Sequence, residues 1–374
     1  MKITGAMVFD PKEGFVQRDL CIAGDRIAPQ GEGEVSARGC CLIPGLTDLH
    51  FHGCRGADFS DGDSEGLAEM ARYELSRGVT QICPAGMTLE EAQLVKICKT
   101  AAAHRRAGLP GAELVGVNLE GPFLSMAKKG AQNGAWLQPP SVPLLEKLME
   151  ASEGLVKLVS VAPELEGALD FIRQVKDRVT VSVAHTAAGY DTALAAFQAG
   201  ARQCTHLYNG MAPFAHREPG VVGAAFDCGH VMCELICDGV HIHPAMVRAT
   251  FRLMGKDRMI LISDTMRAAG MSDGSYTLGG QDVTVRGNRA ELADGTIAGS
   301  VTDLMACLKV AVSVVGIPLA DAVTAAAVNP AKVMGIYDRL GSLDVGKQAN
   351  VAVLDEHLDL KAVIFRGEVV SGSL

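Results

Sequence analysis

No apolar run in this sequence approaches the roughly 18 residues that a membrane-spanning helix requires, so no membrane role is expected. The first residues, Met1-Lys2-Ile3-Thr4-Gly5, lead straight into strand-like sequence and carry no signal-peptide pattern. Eleven cysteines are present, but they form no Cys-x-x-Cys pair and show no disulfide-framework spacing. Thiols of this kind read as reduced and mostly buried, which points to the cytoplasm. Positive charge is in deficit, with 34 Lys and Arg against 43 Asp and Glu and a formal net charge of −9. That balance argues against nucleic acid as a partner. It also means that an anionic substrate needs a local cluster of positive groups. Glycine-rich phosphate loops of the Rossmann or P-loop kind are missing after every strand-like run. There is no internal repeat and no low-complexity tract.

The composition that remains is soluble and globular, 48% hydrophobic and 21% charged. A chain of 374 residues can bury a large core, as two domains or as one barrel with additions. Its two ends resemble each other in character. Strand-like stretches at Lys2–Phe9, Gln17–Ala23 and Arg26–Ala28 have counterparts at Ala349–Leu354 and Lys361–Phe365. Residues 1–44 with 346–374 are therefore expected to form one small β-sandwich domain. The middle alternates. Apolar strand-like runs occur at Leu46–Phe51, Val79–Cys83, Leu114–Leu119, Val156–Val161, Val179–Ala184, Gln203–Leu207, Met232–Cys237 and Met259–Ile262. Helical patterns lie between most of them, as at Gly66–Arg77, Glu90–His104, Val142–Ala151, Tyr190–Ala199 and Pro244–Met254. Eight such units over about 300 residues predict an α/β fold, a (β/α)8 TIM-type barrel over residues 45–345. A β-hairpin insertion is expected near 276–293. A doubly wound open sheet is the alternative, weakened by the missing phosphate loops.

The stretch Pro44-Gly45-Leu46-Thr47-Asp48-Leu49-His50-Phe51-His52-Gly53 is where chemistry enters. Read as a strand, it puts His50 and His52 on one face, about 6–7 Å apart at the backbone, so that both rings can reach one metal ion. Taken alone, such a pair is more often two solvent-facing histidines on an edge strand. In a barrel, however, chemistry belongs at the carboxyl ends of the strands. Strand three ends Asn118-Leu119-Glu120-Gly121-Pro122, strand five Ala184-His185-Thr186, and strand six Thr205-His206-Leu207-Tyr208-Asn209. Strand seven ends Asp238-Gly239-Val240-His241, and strand eight Ser263-Asp264. One such residue is ordinarily a helix cap or a hydrogen-bonded loop residue. Six strand ends delivering His, Glu or Asp to one rim form a metal site. Imidazole and carboxylate suit Zn²⁺ or Fe²⁺. Glu120, His185 and His206 supply three ligands, His50 and His52 a second position with Glu120 bridging, and Asp264 a general base and then acid.

These motifs resemble those of the amidohydrolase superfamily, and within it of deacetylases acting on 6-phosphorylated N-acetyl amino sugars. Lys128-Lys129-Gly130-Ala131, Arg217-Glu218-Pro219-Gly220 and Asp294-Gly295-Thr296-Ile297-Ala298-Gly299-Ser300 belong to the same resemblance, which runs over nearly the whole chain. It implies one or two divalent metal ions per subunit, zinc first and iron second, on Glu120, His185, His206, His50 and His52. It implies Asp264 as the catalytic acid/base. Asn209 and Gly210 match backbone contacts to the sugar, Arg217 and His241 groups that hold phosphate and sugar, and Ala131 with Ala298, Gly299 and Ser300 further substrate contacts. It also implies a homodimer in which a neighbouring subunit completes the phosphate site. Gln132 stands where some relatives carry a carbonyl-polarising histidine, and Gly210 where alanine is more usual. Arg217 offers a bidentate fork suited to phosphate, with a surface salt bridge to Glu218 as its plain alternative.

The expected reaction is hydrolysis of the acetamide of N-acetyl-D-glucosamine 6-phosphate to D-glucosamine 6-phosphate and acetate. A metal-bound hydroxide attacks, Asp264 moves the proton, and Gln132 or His241 assists at the oxyanion. Three alternatives stand beside it. One is another hydrolase of the superfamily, many of which use a carboxylated lysine where Glu120 stands here. Another is a different substrate such as N-acetylgalactosamine 6-phosphate. The third is a catalytically dead scaffold, although this chain keeps every ligand.

Overall fold

Parallel strands set the frame. In the computed structural model, which describes residues 1–374, they are β1 (Leu46–Asp48), β2 (Val79–Ile82), β3 (Val117–Phe123), β4 (Val156–Val161), β5 (Thr180–Val183), β6 (Gln203–Cys204), β7 (Met232–Ile236) and β8 (Met259–Ile262). β1 and β2 pair with each other and with Glu113–Leu114 in a three-stranded parallel sheet. Ala85–Gly86, the continuation of β2, opens a seven-stranded parallel sheet that runs in order from β3 to β8. The run curls until its ends meet: Asp264 N donates to His50 O at 2.9 Å, and His52 N to Thr265 O at 2.7 Å.

The strands are short and buried on both faces, as a parallel sheet covered by helices requires. Period-2 alternation sorts their side chains. Leu49, Leu158, Ile236, Ile260 and Ile262 pack together across the inside of the curl with Met334. Val159, Val161, Cys233, Leu235, Met259 and Leu261 belong instead to the large core shared with the helices. Those helices start on side-chain caps: Asp63 for Ser64–Ser76, Ser141 for Val142–Ala151, and Asp303 for Leu304–Val310.

Both chain ends enter one six-stranded sheet, in the order Glu368–Gly372, Leu360–Phe365, Val351–Leu354, Cys41–Pro44, Met7–Asp10, Gly14–Gln17. A four-stranded sheet holds Arg26–Ala28, Leu20–Ala23, Lys2–Thr4 and Glu34–Ser36. Residues of the two sheets, among them Ile3, Leu20, Ile22, Leu42, Val351 and Ile364, share a core of their own. Near residue 280 the chain forms a three-stranded antiparallel meander, Gly274–Leu278, Gln281–Arg286 and Arg289–Glu291, one strand more than a hairpin. All eleven cysteines are free, nine of them buried, and no helix is long and apolar enough to cross a membrane.

Gly45 carries the chain from the terminal sheet into β1. A Cβ there would lie 2.1 Å from Thr80 Oγ1 and 2.5 Å from Thr80 Cγ2, atoms of a fully buried β-branched residue that cannot swing away. Gly45→Ala should therefore destabilise the fold by about 1–3 kcal/mol, the range for overpacked cores. Urea unfolding at constant m-value measures it. The double variant Gly45→Ala with Thr80→Ser should recover part of the loss.

Candidate metal centre

Each polar group at the centre comes from the last residues of a strand or the first residues beyond it. Glu120 lies within β3, and His185, His206 and Asp264 each follow their strand by two residues. These last three have left-handed backbone angles, with φ of +40°, +27° and +50°. The chain turns sharply there to aim the side chain inward. His50 and His52 depart from the expected strand. β1 ends at Asp48, and the two histidines sit in the segment that hydrogen-bonds to the chain just past β8. Both rings nevertheless reach the same two carboxylates, Glu120 and Asp264. Their rings stand at 79° with centroids 5.3 Å apart.

Two groups of donor atoms result, Glu120 with His185 and His206, and His50 with His52 and Asp264; within each, the atoms lie no more than 4.8 Å apart. Glu120 joins them. Its Oε1 is 2.8 Å from His206 Nε2, 3.1 Å from His185 Nε2 and 3.4 Å from His50 Nε2. Its Oε2 is 3.3 Å from His52 Nε2. Asp264 Oδ1 lies 3.3 Å from His52 Nε2 and 3.6 Å from His50 Nε2.

The outer nitrogen of every one of these histidines faces an acceptor: Glu234 Oε2 at 3.0 Å for His50, and Ala85 O at 3.1 Å for His52. For His185 it is Lys128 O at 2.8 Å, and for His206 it is Asn209 O at 3.1 Å. Each Nδ1 is thereby fixed as a donor, and each Nε2 presents its lone pair inward, the pattern of metal-ligating imidazoles. Two further features fit a cation. His50 Nε2 is buried without a hydrogen-bond partner. His185 Nε2 and His206 Nε2 lie 3.1 Å apart, a close approach for two lone pairs unless positive charge is shared between them.

Electrostatics agree. Burial would lower the His52 pKa, but hydrogen bonds to the Asp264 and Glu120 carboxylates push it up to about 10. His50 and His185 are likewise lowered by burial and raised, on balance, by the Glu120 carboxylate. Burial would raise Glu120, yet His50, His185 and His206 hold it well below the carboxylate range. A proton and a cation compete for the same nitrogens.

Above the centre lies a cavity of about 250 Å³. Of the residues expected at the site, His52, Glu120, Ala131, Gln132, His185, His206, Asn209, Gly210, His241, Asp264 and Gly299 line it. His50 sits beneath. Ala298 packs in an apolar cluster with Ala131 and Met266, and Ser300 donates to Ser263 O at 2.6 Å. Arg217 stays outside the lining, exposed, with Nη1 2.7 Å from His216 Nε2. Gln132 is engaged twice: Nε2 donates to Glu120 Oε2 at 2.6 Å and Oε1 accepts from Thr88 N at 2.7 Å. Gly210, at φ +63°, backs His185, and a Cβ there would come within 2.8 Å of His185 Nδ1. The glycine thus leaves room for the His185 ring. Met87, Gly130, Leu278, Thr296 and Ile297 also line the cavity, though nothing in the sequence reading singled out their side chains. Glu234 was missed too. Its signal was an acidic residue inside an apolar strand, Met-Cys-Glu-Leu-Ile.

Residues 41–370 match the family described as the Amidohydrolase family. The chain is 39% identical to the N-acetylglucosamine-6-phosphate deacetylase of Bacillus subtilis (strain 168) over 332 residues, covering 88% of this chain and 84% of the relative. It is 37% identical to the N-acetylgalactosamine-6-phosphate deacetylase of Escherichia coli O157:H7, with 88% of each covered. A solved mutant of the N-acetyl-D-glucosamine-6-phosphate deacetylase of Mycobacterium smegmatis, in complex with N-acetyl-D-glucosamine-6-phosphate, superposes with a TM-score of 0.93 at 35% identity, over 99% of both chains.

The proton competition has a measurable consequence. In chelator-treated protein, His52 carries a proton below its raised pKa of about 10, so a cation must displace it. Affinity for Zn²⁺ should rise with pH between 6 and 9, with proton release on binding. Titration calorimetry in buffers of different ionisation enthalpy reads that release. An affinity independent of pH would contradict the arrangement.

Proposed function

The chain belongs to the amidohydrolase family, and we propose that it hydrolyses the acetamide of N-acetyl-D-glucosamine 6-phosphate to D-glucosamine 6-phosphate and acetate. One observation carries the reading: two His/carboxylate groups share Glu120 at the floor of one cavity, with Asp264 facing the same space. Glu120, His185 and His206 are the residues that would hold a divalent cation, with His50 and His52 for a second. The imidazole and carboxylate donors suit zinc or iron. A cation held there supplies Lewis acidity, polarising the carbonyl and lowering the pKa of water.

The proton work falls to Asp264. Burial would raise its pKa, but the His52 hydrogen bond and the charges of His50, His52 and His206 hold it low, so it is an ionised base in reach of the attacking water. Having taken that proton, it returns it to the departing sugar nitrogen. Ser300 N donates to Asp264 O at 2.7 Å and holds the turn in place. His241 gives Nδ1–H to Asp238 Oδ2 at 2.7 Å. Burial lowers its pKa and Asp238 raises it more, which favours the protonated, donating form toward oxyanion or phosphate. Gln132 orients Glu120 through one amide hydrogen and keeps the other for substrate. Ala131, Asn209, Gly210 and the turn at Ala298, Gly299 and Ser300 frame the sugar.

Arg217 is the bidentate phosphate group. Its exposed position outside the lining supports a site completed across a homodimer, with the neighbouring subunit closing the phosphate end. The hydrogen bonds from the end of β8 to the end of β1 support a closed (β/α)8 barrel over residues 45–345, with the insertion near 276–293. The separate core between the two terminal sheets supports a small β-sandwich domain of residues 1–44 and 346–374. Free cysteines throughout support a cytoplasmic setting.

The relative named for N-acetylgalactosamine 6-phosphate, almost as similar, favours a second reading in which the 4-epimer is the substrate. Acetate release from both sugar phosphates and from unphosphorylated N-acetylglucosamine separates the readings. The glucosamine compound should give the highest kcat/KM, and no release from either phosphate would end the proposal. Asp264→Asn should lower kcat by about 10²–10⁴-fold, the span typical of a general acid–base group. Arg217→Ala should raise KM for the phosphorylated substrate and leave turnover of the unphosphorylated sugar unchanged.

A further inference from the structure

Glu234 is fully buried in β7, on the inward face that also carries Ile236. Its carboxylate has no lysine or arginine partner. Oε2 accepts from His50 Nδ1 at 3.0 Å and from His206 N at 3.2 Å, and Oε1 accepts from Gln203 Nε2. A carboxylate desolvated in this way is costly unless it serves its neighbours. The other three histidines of the centre lean on backbone carbonyls, Ala85 O, Lys128 O and Asn209 O. His50 alone leans on a carboxylate.

We infer that Glu234 is a positioning residue for the second cation position, the one built from His50, His52 and Asp264. It fixes the Nδ1–H tautomer of His50, directs the unpartnered Nε2 into the centre, and makes that nitrogen a stronger donor than a carbonyl would. The oxygen that holds His50 also holds the backbone of His206, so one buried group sets the spacing between the two triads. Gln203, donating Nε2–H to Oε1, holds the other end of the carboxylate. The inference rests on the metal-dependent reading above and extends it to occupancy: with Glu234 in place the chain retains two cations.

Wild type, E234Q and E234A, each stripped with chelator and reloaded with Zn²⁺, give the test through metal content after dialysis and through stepwise affinity by competition with a chromophoric chelator. Wild type should hold two ions. E234Q should hold one as tightly as before and bind the other 10–100-fold more weakly, the usual effect of losing such a partner. The melting temperature of stripped E234Q should stay close to that of stripped wild type, while the rise on reloading shrinks; a merely structural role would lower both alike. E234Q is isosteric and carries the test even where E234A fails to fold. Two ions bound within twofold of wild-type affinity in E234Q would overturn the inference, and so would a wild type that binds a single ion yet deacetylates. A wild type that binds no ion and releases no acetate would instead remove the reading beneath it.

Discussion

Everything at the centre depends on one carboxylate meeting four imidazoles. Glu120, 2% exposed, has four histidine Nε2 atoms within 3.4 Å, drawn from segments that follow β1, β5 and β6. No lysine or arginine neutralises it. A buried charge in that position is tolerable only when surrounding groups return the solvation it has lost. Here they are imidazoles whose own orientation is imposed from outside, by Ala85 O, Lys128 O, Asn209 O and Glu234. The inner ring of donors is therefore as rigid as the outer ring of acceptors. Gln132 adds the last constraint, holding Glu120 Oε2 while Thr88 N holds the glutamine.

That rigidity follows from where the residues sit. Strands β4, β7 and β8 carry inward-facing apolar side chains, Leu158, Ile236 and Ile260 with Ile262. The same inward faces carry polar groups, Glu234 on β7 and a hydroxyl chain of Ser160 on β4, Ser182 on β5 and Thr205 after β6. Above that come the histidines and Asp264. These groups are buried, so the hydrogen bonds among them act in a low dielectric. The left-handed angles at His185, His206 and Asp264 belong to the same design. Non-glycine residues adopt φ near +30° to +50° at a cost, and these three do so at the point where the strand must stop and the side chain must turn inward.

Much of this was legible from the chain alone. The alternation of apolar runs and helical patterns located the eight parallel strands to within a few residues, because parallel strands covered on both sides are unbroken apolar runs. The polar residues that ended those runs were the ones that converge. What could not be read was local backbone geometry. The spacing of His50 and His52 looked like strand alternation, yet the strand stops at Asp48, because the following backbone bonds to the segment beyond β8, some 210 residues away. Pairing at that distance leaves no local signature. The insertion near 280 showed its turns but not its third strand, Arg289–Glu291 being too short to carry a pattern. Glu234 was hidden for a different reason. An acid within an apolar strand is visible as an anomaly, but only the fold tells which histidine it serves.

The division of labour inside the cavity bears on which sugar the centre accepts. In the proposed reading, the floor, with Glu120, the histidines and Asp264, meets the acetamide and the water. The facing wall is different in origin. Leu278 comes from the meander, Thr296, Ile297 and Gly299 from the segment that follows it, and Gly130, Ala131 and Gln132 from the loop after β3. Gln281 Nε2 donates to Ala131 O, which ties the meander to that loop. Epimers at a single carbon present the same acetamide to the floor and differ only toward such a wall. Relatives named for the glucosamine and galactosamine compounds, at 39% and 37% identity, fit that separation. In that reading the reacting end is held by buried residues that leave little room for variation, whereas the sugar meets loops that a scaffold of this kind can vary without disturbing the floor.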